Sequence, residues 1–162
     1  MAKSTAESSL ALSIFWLNKE GYLDKDCSYK SGTLTWTFGF SENKSSVGFS
    51  LVRDNWGTPE EKTYIKLNYT HTDRWTNEKS DMDFKIPLTS TPCRYGGKRY
   101  WFICPLTKNG QYCGRRVGVI FSIGKWFGCR HCGEIAYSSQ MSGGKYRASS
   151  VCFPDVERAE KE

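Results

Sequence analysis

Long apolar runs are missing from this sequence. Its mean hydropathy is −0.57, and nothing approaches the ~20 consecutive apolar residues that a membrane-spanning helix needs, so a helical membrane protein is excluded. The opening residues, MAKSTAESSLALSIFWLNKE, place Glu7 before their apolar stretch and polar residues after it. They lack the strongly basic opening and small-residue cleavage site of a secretion signal, so the expected location is cytoplasmic, with reduced thiols. There is no internal repeat and no Gly-rich phosphate loop. Acidic residues are scarce in one place: between Cys93 and Arg147 only Glu134 is acidic, against ten lysines and arginines. That scarcity disfavours a nuclease or other enzyme built on clustered carboxylates, and a non-catalytic protein is expected.

Positive charge, aromatic rings and cysteine are what the chain does have. The block 93–147 carries a net +9, while the rest of the 162 residues holds 13 basic and 16 acidic side chains, or −3. A cationic block on a mildly acidic body suits a polyanionic partner, most simply nucleic acid. Its alternative is a solvated surface serving solubility. Aromatics make up 15% of the residues against a hydrophobic fraction of 38%, so large rings are expected to fill much of a modest core.

Ser4 and Glu7 have capping-box spacing, Leu10, Ile14 and Leu17 recur at helical spacing, and Gly21 follows Lys19 as a stop. The pattern predicts a helix over 5–20 that covers a sheet. Strands follow. Leu34, Trp36, Phe38 and Phe40 share one face; Val47, Phe49 and Leu51 alternate next, after a turn at Ser41–Lys44; Ile65, Leu67, Tyr69 and His71 line a third strand beyond the loop Asn55–Lys62; Met82, Phe84, Ile86 and Leu88 line a fourth. This predicts an antiparallel β-meander with one buried face. His71 and Asp73 form the only catalytic-looking pair there, and a packed or surface histidine is the preferred reading. Cys27 reads as a small half-buried residue.

Seven cysteines is an odd number, which disfavours a full disulfide framework. Four of them, Cys104, Cys113, Cys129 and Cys132, stand with eight, fifteen and two residues between them, each beside Gly or Pro or inside a CxxC pair. Cys129-Arg-His-Cys132-Gly133 reads as a metal knuckle. Cys104-Pro105 and Cys113-Gly114 read as the two ends of a second knuckle whose centre, LTKNGQY, has been lengthened. Arg115–Phe127, with Val117, Val119 and Phe121 alternating before Gly124, reads as a hairpin joining them. A redox CxxC is disfavoured because no βαβ pattern surrounds it. One structural zinc ion, on the four cysteines, is the expected cofactor. His131 inside the knuckle and Cys93 just before it are the substitute ligands to consider; Cys152 lies too far downstream. Arg99, Lys108, Arg115, Arg116, Lys125 and Arg130 are the expected nucleic-acid contacts, with Tyr100, Trp101, Tyr112 and Trp126 nearby as stacking surfaces.

The fold class expected is mainly β (α+β): residues 1–92 as an N-terminal helix on an antiparallel sheet, 93–140 as a four-cysteine zinc ribbon, and 141–162 as a flexible polar tail. The segment TPCRYGGKRYWFICP…CGRRVGVIF…KWFGCRHC…AYSSQ resembles a family of small bacterial and archaeal zinc-ribbon proteins often carried on phages and integrative elements. The resemblance runs upstream through LNKEGYL and SGTLTW and covers residues 10–140. It implies that Cys104, Cys113, Cys129 and Cys132 are the metal ligands, and that the protein is a mobile-element accessory factor. The tail MSGGKYRASSVCFPDVERAEKE departs from the family, where a longer helical extension is expected. Two functions follow: binding of nucleic acid, DNA ahead of RNA, or a protein-interaction module that inhibits or adapts a host nucleic-acid machine such as a defence complex.

Overall fold

A computed structural model describes residues 4–24, 28–37 and 44–141, with Met141 described through its backbone only. Cys27, Phe38, Phe40, residues 41–43 of the turn expected at Ser41–Lys44, Cys152 and the residues after Met141 lie outside the described residues. The strands are β1 (Ala11–Ser13), β2 (Tyr29–Thr37), β3 (Lys44–Asp54), β4 (Lys62–Thr72), β5 (Lys79–Pro92), β6 (Lys98–Ile103), β7 (Thr107–Lys108), β8 (Gln111–Tyr112), β9 (Arg116–Val117), β10 (Val119–Ile123) and β11 (Trp126–Gly128). Two short helices, α1 (Ile14–Lys19) and α2 (Ser138–Met141), complete the described elements with a 3-10 turn at Ala6–Ser8. The protein is mainly β.

The alternating segments form the predicted antiparallel meander. β2, β3, β4 and β5 pair in sequence order, with Phe49 opposite Leu67 and Leu67 opposite Phe84, so the apolar residues share one face. Val47, Phe49, Leu51, Ile65, Leu67 and Ile86 are buried along it. The sheet continues past residue 92: β6 pairs with β5, and the two-residue β9 pairs with β6.

A second, three-stranded sheet is built from both ends of the described chain, in the order β1-β10-β11. Leu12 of β1 lies opposite Ile120, and both are buried in the same core cluster as the meander. Phe127 of β11 meets Tyr69 of β4 edge to face at 5.3 Å, and Trp126 lies 5.5 Å from Phe84 of β5. Ile14 and Leu17 of α1 belong to that core as well.

The N-terminal helix expected over 5–20 is a correction. Only 14–19 is helical; Ala6–Ser8 is a 3-10 turn and Ala11–Ser13 a strand. The sequence LALSI alternates as well as it spirals, and Ser8, Ser9 and Ser13 offer the backbone local hydrogen bonds that compete with a helix. The edge of β10 then settles the choice, because pairing with it satisfies the backbone of β1. The capping interaction is also shifted by one residue. The Thr5 N–H donates to Ser8 Oγ at 3.3 Å, while the Glu7 carboxylate accepts from the Ser138 N–H at 3.1 and 3.3 Å. Gly21 does end α1, at φ 74°, and its N–H donates to the Asn18 carbonyl.

The predicted hairpin over 115–127 begins later than expected. β9 belongs to the meander sheet and β10 to the second sheet, so the chain changes sheets at Gly118. A side chain there would sit 2.7 Å from the Phe15 ring. The turn at Gly124, φ 59°, then joins β10 to β11.

Candidate metal centre

Three of the four cysteines directly follow a strand, Cys104 after β6, Cys113 after β8 and Cys129 after β11, while Cys132 lies in the turn beyond β11. β6 delivers Cys104, whose N–H donates to the Arg115 carbonyl at 2.9 Å. The lengthened centre of this knuckle folds as a small hairpin of its own. β7 and β8 pair around Asn109 and Gly110, both at positive φ (52° and 77°), the Asn-Gly turn that suits a two-residue connection. The Cys113 N–H donates to the Leu106 carbonyl at 2.9 Å and closes the loop. β11 delivers Cys129, whose carbonyl accepts from the Gly133 N–H at 3.2 Å, so the CxxC pair is held in a tight turn.

The four sulfur atoms lie within 4.8 Å of one another. Cys104 and Cys132 are 3.8 Å apart, Cys113 and Cys129 3.7 Å. A tetrahedron with metal–sulfur bonds of about 2.3 Å has edges of about 3.8 Å, and these two pairs are opposite edges of one. A disulfide needs about 2.05 Å, and all four cysteines are free. The arrangement is therefore consistent with a metal site. Backbone amides support the sulfurs as thiolates: the Cys129 N–H donates to Cys104 Sγ at 3.3 Å and the Cys132 N–H to Cys129 Sγ at 3.5 Å. Burial pushes the Cys104 thiol up, against the amides of Cys129 and Leu106. Burial and the neighbouring sulfurs raise Cys132 as well. At Cys113 burial is outweighed by hydrogen bonds from the Arg115 amide and the other thiols, and the shift is downward. Four sulfurs this close cannot all ionise without a cation between them.

Gly128 lets the two knuckles meet. A Cβ on it would lie 2.2 Å from Leu106 Cδ1 and 2.9 Å from Leu106 Cγ. Gly128→Ala is expected to displace Leu106 and lower stability by roughly 1–3 kcal/mol, read from the urea midpoint of the metal-loaded protein. An unchanged midpoint would show that the knuckles are not packed this tightly.

The substitute ligands do not join the cluster. Cys93 is exposed in the β5–β6 loop, and the described group of metal-ligating side chains contains neither it nor His131. His131 instead lines a surface depression with Lys108, Tyr112 and Arg115. The expected cationic contacts separate into three places. Lys108, Arg115, Arg116 and Arg130 flank the knuckles. Lys108 is paired with Glu134 at 2.7 Å, and Arg130 covers the Tyr137 ring at 5.0 Å. Arg99 lies elsewhere, on β6, with its guanidinium 5.5 Å from the Phe15 ring and 5.1 Å from Trp101. Lys125 is at the β10–β11 turn, over Trp126, where its carbonyl accepts from the Tyr69 hydroxyl. Among the described residues no hydrogen bond joins Asp73 to His71. The Asp73 carboxylate accepts the Trp75 N–H at 2.7 Å and the Thr76 N–H at 3.4 Å, and these amides hold it below its usual range.

Two features of the centre were missed by sequence reasoning. The β7–β8 hairpin was signalled by Asn109-Gly110 inside LTKNGQY. The embrace of the knuckles by the N-terminal residues had no signal of its own: Ala6 N–H donates to the Ala136 carbonyl at 2.9 Å, and Ala136 N–H to the Ser4 carbonyl at 3.1 Å. No helix among the described residues is long and apolar enough to cross a membrane. The chain matches no protein-family model, no curated protein and no solved structure.

Proposed function

We propose that Cys104, Cys113, Cys129 and Cys132 hold one structural zinc ion in a ribbon, and that the protein binds nucleic acid, DNA ahead of RNA, through cations beside that ribbon without catalysing a reaction. Four free thiols at tetrahedral spacing, two of them buried, suit zinc, which takes four sulfurs readily. Four thiolates also complete its shell, which fits a structural rather than a catalytic ion. What zinc supplies is a cross-link stiff enough to fix the side chains around it.

One observation carries the nucleic-acid reading. Arg115 and Arg116 are exposed immediately after Cys113 and Gly114, and no acidic side chain pairs with either among the described residues. Guanidinium groups held on a rigid turn match phosphate oxygens in geometry and charge. The setting on a phage or integrative element rests on the family resemblance over residues 10–140.

Salt titration tests the reading. DNA affinity is expected to fall linearly on log–log axes as salt rises. Arg115→Ala with Arg116→Ala should flatten the slope by about 1.4 to 1.8, at roughly 0.7–0.9 per lost phosphate contact, with metal content unchanged. An unaltered slope and affinity would remove these arginines from the interface. The alternative of a protein-interaction module draws on Trp75 and Tyr95, 93% and 96% exposed on hairpin loops of the meander. A host partner retained after nuclease treatment, together with no oligonucleotide binding at low salt, would favour it.

A further inference from the structure

The depression beside the β7–β8 hairpin bears directly on which form of nucleic acid the knuckles accept. It has a volume of about 450 Å³ and is lined by Lys108, Asn109, Gln111, Tyr112, Arg115 and His131, with Cys113 and Cys132 completing the wall. That volume falls within the range of pockets that take small ligands and is far too small to seat a double helix. The lining combines one aromatic face, one unpaired guanidinium, and amide and imidazole groups with both donors and acceptors.

We infer that this depression takes one unpaired nucleotide of a single strand, with its base against the Tyr112 ring and its phosphate at Arg115. The inference rests on the nucleic-acid reading above. Tyr112 is 57% exposed, yet its position is set from below: a Cβ on Gly114 would lie 3.0 Å from Tyr112 Cε1, and Gly114 has φ +58°, so the ring rests on backbone that only glycine leaves open. The Asn109-Gly110 turn fixes the other end of the same hairpin. A ring held this way stacks on a base without first losing its own freedom. Of the two cations in the depression, Lys108 is already bound to Glu134 at 2.7 Å and to the His131 carbonyl at 3.4 Å. Arg115 is the one left to meet a phosphate. Asn109, Gln111 and His131 supply the hydrogen-bonding edge. A paired base cannot enter without leaving its stack, which costs a few kcal/mol, so a duplex gains only the phosphate contacts.

The test is fluorescence anisotropy at low salt with an oligothymidine of about 16 nucleotides, an oligouridine of the same length, and the matching DNA duplex. The single strand is expected to bind more tightly than the duplex. The better of the two single strands shows whether the DNA or the RNA form, which differ in the 2′-hydroxyl and the base 5-methyl group, is preferred. Tyr112→Ala should weaken the single strand roughly 5- to 150-fold, the range that base–aromatic stacking provides, and leave the duplex unchanged. Tyr112→Phe, which keeps the ring, should restore single-strand binding. Metal content equal to that of the parent protein in both variants shows that the knuckles remain folded. If the duplex binds as well as the single strand and Tyr112→Ala changes neither while Arg115→Ala weakens both, the depression is not a nucleotide site and the nucleic-acid reading stands without it. If no oligonucleotide binds, both readings fall.

Discussion

Cys129→Ser is expected to release the proposed zinc ion and, with it, the order of residues far apart in the chain. Cys129 is fully buried at the end of β11, 3.7 Å from Cys113 Sγ, and accepts the Cys132 N–H. A serine hydroxyl there is a harder and far less acidic ligand, and the remaining three thiolates, Cys104 buried and Cys113 and Cys132 half-buried, are then left close together without an adequate counter-charge. Metal binding in small zinc modules is worth of order 10–16 kcal/mol, comparable to the whole stability of most domains, about 5–15 kcal/mol. The loss should spread along specific bonds. Residues 4–6 are hydrogen-bonded to Ala136, β1 is paired with β10, and the Ser122 N–H donates to the Leu10 carbonyl. Hydrogen exchange should therefore lose protection over 104–137 and over 4–13 together, ahead of the β3–β4–β5 ladder. Full metal occupancy in Cys129→Ser, or protection lost around the knuckles while 4–13 stays unchanged, would contradict this arrangement.

Phe102→Ala has the second largest expected effect. Phe102 is 0% exposed and stands on β6 opposite Leu88 on one side and Val117 on the other. It fixes the last wide strand of the meander two residues before Cys104. Removing a buried phenyl ring costs about 3–5 kcal/mol through lost transfer energy and the cavity left behind. The loss is expected as a shift in urea midpoint at constant slope, measured with zinc bound. A loss below about 1 kcal/mol would be far under the usual range for a core ring and would mean that Phe102 does not anchor the strand.

The meander was legible because period-two alternation reports a half-buried sheet directly: Val47, Phe49 and Leu51, then Ile65 and Leu67, then Ile86 and Leu88, all lie in the core. The cysteine set was legible because the spacing of thiols beside Gly and Pro reflects tight turns, and all four converge. The N-terminal residues were misread because Leu10, Ile14 and Leu17 satisfy a helical period while Leu10, Leu12 and Ile14 satisfy a strand period. A segment so short takes its state from what it pairs with, and the β10 edge lies more than a hundred residues away in sequence. The change of sheet at Gly118 was hidden for a similar reason: Val117, Val119 and Phe121 alternate without a break, and only the packing of Phe15 against Gly118 marks the switch. The cations were visible one by one, but their division among the knuckles, the β6 surface and the β10–β11 turn depends on tertiary placement. The Asn109-Gly110 hairpin was within reach of the sequence, since that dipeptide is a strong short-range turn signal.

Metal analysis of the purified protein paired with thiol titration bears most directly on the central claim. One zinc ion per chain is predicted, with the thiols of Cys104, Cys113, Cys129 and Cys132 unreactive until a chelator or acid removes the ion, and reactive together afterwards. A protein that contains no metal and joins these cysteines in disulfides, or one that keeps its zinc after all four are replaced by serine, would contradict the account.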